Sequence, residues 1–144
     1  MVIYSSDEIE KIIQKLRATY PKGSLSDRVK IAKENREFAM NFIIDVAFIE
    51  SIARVLLVDE VSKSTKQPKA EVYKKYKNKT IEVLIPEMGI KDKLGDSILF
   101  VKAISNLRNF FVHESGTIRG SIKTQLSSEL NKIKNVIEKI EAND

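Results

Sequence analysis

Residues 26–61 read SDRVKIAKENREFAMNFIIDVAFIESIARVLLVDEV, thirty-six residues without a glycine or a proline. Ser26 or Asp27 can cap a helix here, because a short side-chain oxygen accepts a backbone N–H that the first turn leaves unbonded. From Phe38 onward the segment is apolar almost all round: Phe38, Met40, Phe42, Ile43, Ile44, Val46, Phe48, Ile49, Ile52, Val55, Leu56 and Leu57. A helix of that kind belongs in the middle of a bundle or at an interface between subunits. Asp45, Glu50 and Arg54 interrupt the most apolar part, and each would cost a few kcal/mol at a bilayer centre. The run therefore reads as a core helix, and no membrane partner is expected.

The flanking sequence reads the same way. Ser5 followed by Glu8 is a capping-box pattern, after which Ile9, Ile12, Ile13 and Leu16 recur at helical spacing until Pro21 and Gly23. Beyond Pro68, the series Val72, Tyr73, Tyr76, Ile81, Leu84 and Ile85 predicts a third helix ending near Pro86 and Gly89. After a connector around Gly95, Asp96 or Ser97 can start a fourth, through Ile98, Phe100, Ile104, Leu107 and Phe111 to Gly116. Gly120 separates it from a last helix carried by Ile122, Leu126, Leu130, Ile133, Val136, Ile137 and Ile140. No long stretch alternates apolar with polar residues as a half-buried strand does. The expected fold is all-α, a four- to five-helix bundle forming a single domain over residues 1–144.

Composition narrows the chemistry. An apolar fraction of 42% with 31% charged residues is that of a globular chain. The absence of cysteine excludes disulfides and thiolate chemistry and suits a reducing compartment. The first residues, Met1 to Asp7, lack a basic start followed by an apolar run, so a cytoplasmic location is expected. One histidine, no cysteine and scattered carboxylates do not make a convergent ligand set, so neither metal nor cofactor is expected. The net charge of +5 is moderate, but its distribution is uneven. Between Ser62 and Thr80, Lys63, Lys66, Lys69, Lys74, Lys75, Lys77 and Lys79 face the single acid Glu71. Such a cluster is a candidate electrostatic footprint for RNA. Tyr73 and Tyr76, three residues apart, can anchor this helix to the bundle while the lysines face water; alternatively they can stack bases.

His113 is the only histidine, and histidine is the side-chain type suited to acid–base work near neutrality. On a helical wheel from Ser97 to Glu114, Phe100, Ile104, Leu107 and Phe111 form the core stripe. Lys102, Ser105, Asn106, Asn109 and His113 fall on the opposite arc, with Asn109 one turn before His113 and able to orient its ring. Arg108 lies about 140° from His113 on the same wheel. Either the last turn loosens to bring them together, or a second copy of the chain supplies the complementary residue. On the preceding long helix, the local partner of Glu50 is Arg54, four residues on; if Glu50 is buried it needs a partner, and Arg108 is one candidate.

The segment Arg108-Asn109-Phe110-Phe111-Val112-His113, at the end of a helix in an all-helical chain, resembles the HEPN family. Its members are alike chiefly in an Arg, four to six residues and a His, most often with Asn directly after the Arg. The resemblance implies an HEPN-like bundle, usually a homodimer in which two copies of the motif line one cleft. Many such proteins are metal-independent endoribonucleases, often toxins or defence effectors; others are inactive interaction modules. Carried onto this chain, Arg108 would contact the scissile phosphate, His113 would serve acid–base or transition-state chemistry, and Asn109 would position them. An acidic residue on an early helix often supports the site, and Glu50 is the match. Lys102, Lys74, Lys75, Lys77 and Lys79 are candidate RNA contacts. RNA carries its own nucleophile, the 2′-hydroxyl, so cleavage without metal needs only its deprotonation, protonation of the leaving 5′-oxygen and stabilisation of the phosphorane. Expected products are 2′,3′-cyclic phosphate and 5′-hydroxyl ends. An antitoxin or a nucleotidyltransferase-like protein is the partner the resemblance implies. The competing readings are a silent HEPN module that binds such a partner or RNA, and a helical scaffold.

Overall fold

Two capping boxes start the two N-terminal helices. Ser5 Oγ accepts the Glu8 N–H at 3.2 Å while Glu8 Oε1 accepts the Ser5 N–H at 3.4 Å. Ser24 and Asp27 repeat the arrangement at 3.2 and 3.3 Å. Each box satisfies two N–H groups that the first turn cannot bond, a contribution of about 1 kcal/mol for each cap. The long helix thus begins earlier than Ser26 or Asp27 suggested, because Asp27 is the third helical residue and Ser24 the cap.

The computed structural model describes residues 3–19, 23–113 and 118–143. The helices are α1 (Ser6–Ala18), α2 (Leu25–Thr65), α3 (Lys69–Tyr76), α4 (Ile81–Glu87), α5 (Lys91–Leu94), α6 (Val101–His113) and α7 (Gly120–Ala142), with a 3-10 segment (Gly95–Phe100) before α6. Among the described residues there is no strand, and the chain is an all-α bundle. No helix among them is long and apolar enough to cross a membrane. Gly116, expected to end α6, lies outside the described residues.

Helix α2, 41 residues long, is the axis against which α3, α4, α6 and α7 pack, and α1 lies on α6. It runs to Thr65, one turn past the expected end near Val61, and Lys66 terminates it in the left-handed region at φ 58° shortly before Pro68. Lys123 donates to Asn35 and Lys134 to Asp45, so α7 runs parallel to α2. Phe38 and Phe42 of α2 meet Phe111 of α6 edge to face at 5.6 and 6.0 Å, and Phe110 packs beside Phe111. These rings fix the C-terminal half of α6 on α2.

Three features depart from the sequence expectation. The single helix predicted from Val72 to Ile85 is broken between α3 and α4, since Arg54 binds the carbonyls of Tyr76 and Lys79 at 3.0 and 2.9 Å and holds that stretch as a turn. The helix predicted from Asp96 or Ser97 becomes α-helical only at Val101; Gly95, at φ 58°, ends α5 and opens a 3-10 segment that intervenes. Finally, α2 is not enclosed all round: Phe42, Val46, Ile49, Ala53 and Leu57 are buried, while Met40, Ile44, Phe48 and Val55 form an exposed apolar stripe.

Candidate functional site

Glu50 sits on the buried face of α2 between Ile49 and Ala53 and is 8% exposed. A carboxylate in that position needs hydrogen-bond partners, because burial without them costs several kcal/mol. Its Oε2 accepts the N–H of Ile81 at 2.7 Å, and its Oε1 accepts Arg108 Nη1 at 3.4 Å. Ile81 is the first residue of α4, whose cap residue Thr80 makes no side-chain capping bond. Glu50 therefore does for α4, from another helix, what a cap does locally, and its negative charge suits the positive end of that helix.

The pair expected between Glu50 and Arg54 does not form. Arg54 instead forks onto the carbonyls of Tyr76 and Lys79, which close α3 and the following turn. Two neighbouring turns of α2 thus clamp both sides of the 77–80 connector, Arg54 through carbonyls and Glu50 through an N–H. Glu50 then links the connector to Arg108.

Arg108 is half-buried, its side chain 18% exposed, and points toward α2. Its Nε donates to Asn109 Oδ1 at 2.9 Å. Asn109 accordingly orients Arg108, whereas the wheel placed it beside His113. The Nη2 group of Arg108 takes no partner among the described residues, which leaves a donor edge suited to a phosphate oxygen.

His113 is exposed on the last residue of α6. The helix continues through His113, so within the described residues no loosened turn brings the two together, and they stay about 140° apart around the axis and about 7.5 Å apart along it. Lys102 is exposed on the same helix, about 16 Å from His113 along the axis. Ser105, assigned to the polar arc, is buried, and Phe110 is buried more deeply than Phe111. Both corrections accord with the packing of α6, which touches α1 as well as α2, α4 and α7 and so has a narrower solvent-facing arc than a surface helix shows.

The lysines Lys74, Lys75, Lys77 and Lys79 are all exposed. The two tyrosines among them divide the expected roles. Tyr76 is 3% exposed and anchors α3, whereas Tyr73 is 49% exposed. Burial first, and then a hydrogen bond with Glu87, pushes the Tyr76 hydroxyl above its ordinary pKa of 10.0. No group of three or more His, Asp or Glu side chains that could hold a metal ion gathers among the described residues.

The structure therefore brings together Arg108, Asn109, Glu50 and the lysine-bearing connector, and leaves His113 and Lys102 on the outer face of α6. The residue that sequence reasoning missed is Arg54, whose partners lie 22 and 25 positions away. Compared with protein-family profiles, with curated proteins and with solved structures, the chain finds no match in any of the three.

Proposed function

We propose that the chain is an HEPN-type, metal-independent endoribonuclease that acts as a homodimer and cleaves RNA to 2′,3′-cyclic phosphate and 5′-hydroxyl ends, in the setting of a toxin or defence effector. Arg108 binds the scissile phosphate, Asn109 and Glu50 orient its guanidinium, and His113 moves the proton. The observation that carries this reading is the geometry of Arg108. Its Nε is held by Asn109 and its Nη1 by Glu50, while Nη2 is unbonded among the described residues. A guanidinium preorganised on two sides and open on the third is what phosphate recognition requires.

A dimer supplies the His113 that one regular helix directs away from Arg108. The exposed stripe of Met40, Ile44, Phe48 and Val55 offers an apolar surface for association, about 125° around α2 from Glu50 and its partner Arg108. That same separation within one chain also favours a second reading, a silent HEPN module binding a nucleotidyltransferase-like protein or an antitoxin.

The deciding experiment incubates the protein with mixed-sequence RNA in excess EDTA, comparing wild type with Arg108→Ala and His113→Ala. Cyclic-phosphate ends that both substitutions abolish establish the nuclease. Absence of cutting by wild type, or equal cutting by all three, moves the assignment to the binding module.

A further inference from the structure

Helix α3 turns Val72 and Tyr76 into the core, which leaves its other side to solvent. Tyr73 stands on that side, half of its surface exposed. Lys69 and Lys77 are four residues before and after it, hence on the same stripe of the helix. Lys69 is held at 2.9 Å by the partly buried Asp59, and Lys74 at 3.2 Å by Glu71 in a pair open to water and so readily exchanged for a phosphate. Lys75, Lys77 and Lys79 make no ion pair among the described residues. An exposed ring flanked by ammonium groups fits an unpaired base between two phosphates.

The connector behind these residues is built for the same ligand. The last carbonyls of a helix carry partial negative charge, which would repel a polyanion. Here Arg54 covers the carbonyls of Tyr76 and Lys79, so cationic charge backs the lysines on the connector. Glu50 in turn joins the Ile81 N–H to Arg108, which sets the connector directly beside the phosphate-binding guanidinium.

We propose that α3 and residues 77–80 form a binding track for single-stranded RNA that leads to Arg108. Tyr73 stacks an unpaired base, Lys77 and Lys79 hold phosphates, and Arg54 is a positioning residue that keeps the track in place. A duplex keeps its bases stacked on one another and has none to offer Tyr73, so the single strand is preferred. The choice of RNA as the polyanion rests on the nuclease reading above.

The test measures binding by fluorescence anisotropy with a labelled single-stranded RNA whose 2′-hydroxyls are all methylated, so that it cannot be cut. Each phosphate released from contact changes the slope of log affinity against log salt by about 0.7. Lys77→Gln with Lys79→Gln is expected to flatten that slope by about 1.4. Tyr73→Ala is expected to weaken binding about fivefold or more without changing the slope. A matched loss of charge elsewhere, Lys30→Gln with Lys33→Gln on the exposed N-terminal half of α2, should leave both quantities near wild type. The proposal is overturned if Tyr73→Ala binds like wild type, or if the α2 pair weakens binding as much as the connector pair. If ordinary RNA is left uncut while the binding pattern holds, the nuclease reading fails and the track stands. Normal cutting together with unaltered binding by the Tyr73 and connector variants has the opposite meaning.

Discussion

Replacing Glu50 separates a structural task from a functional one. Its carboxylate accepts the first N–H of α4 at 2.7 Å and the Arg108 guanidinium at 3.4 Å, with side-chain exposures of 11% for Glu50 and 18% for Arg108. Glu50→Ala removes both acceptors. A hydrogen bond to a charged group nets about 1.5–3 kcal/mol, and the Ile81 bond is short and buried. Stripping one partner from a fully buried ion pair costs about 3–5 kcal/mol, but Arg108 has a route to water, so about 1 kcal/mol is the better figure here. The sum is about 3 kcal/mol, or a fall in Tm of about 10 °C for a domain of this size. Glu50→Gln keeps an oxygen for Ile81 and should lose about half as much. Arg108→Ala alone should cost about 1 kcal/mol, and the double variant less than the two singles together, by a coupling of about 1 kcal/mol. Thermal unfolding of wild type, Glu50→Ala, Arg108→Ala and the double variant measures all of this. Additivity to within about 0.3 kcal/mol would show that the 3.4 Å contact does not couple the two side chains, and the account of Glu50 as the bridge between α4 and Arg108 would be refuted.

If the site takes Arg108 from one subunit and His113 from the other, mixing inactive Arg108→Ala and His113→Ala proteins by refolding should restore about one quarter of wild-type cleavage, since half of the dimers are mixed and each has one intact site. A site complete within one chain predicts no recovery. Ile44→Glu with Val55→Glu, both more than half exposed, should convert a dimer to monomer in sedimentation analysis with little change in Tm; an unchanged mass would remove the α2 stripe from the interface. Arg54→Ala should lower stability by about 2 kcal/mol through loss of two charged hydrogen bonds, and Arg54→Lys should recover only part because an ammonium cannot fork to two carbonyls. The raised hydroxyl pKa of Tyr76 means that above pH 10 the unfolded chain gives up a proton that the folded one retains. Its contribution to stability is therefore complete below about pH 10 and lost as pH rises toward the folded value, so Tyr76→Phe should show a shallower alkaline fall in Tm than wild type.

What the sequence made legible was whatever is decided within one or two turns of chain. The Ser5–Glu8 box is local, and it stands where the spacing put it. The all-helical character follows from periodicity and from the scarcity of glycine and proline. The break between α3 and α4 was hidden because no glycine or proline marks residues 77–80; Arg54 makes it from 22 residues upstream. Glu50 shows the same limit. Local spacing offered Arg54 as its partner, while the partners it has are 31 and 58 residues further along. The outward arc of α6 was drawn for a helix packed on one side, whereas α1, α2, α4 and α7 all pack on it and Ser105 is buried.

The separation of Arg108 from His113 bears on how a catalytic unit could be completed. Bringing His113 around to Arg108 within one chain means unwinding α6 between Asn109 and His113. That would lift Phe110 from a site where it is 2% exposed, and burial of such a side chain is worth about 1.5–3 kcal/mol. It would also disturb the edge-to-face contacts of Phe111 with Phe38 and Phe42, worth about 0.5–1.5 kcal/mol each. Backbone hydrogen bonds of the last turn are lost besides. Adding a second copy disturbs none of these contacts. On these magnitudes the Phe110–Phe111 seat of α6 makes completion of such a site within one chain expensive, whereas association leaves α6 intact but costs about 4–15 kcal/mol of translational and rotational freedom.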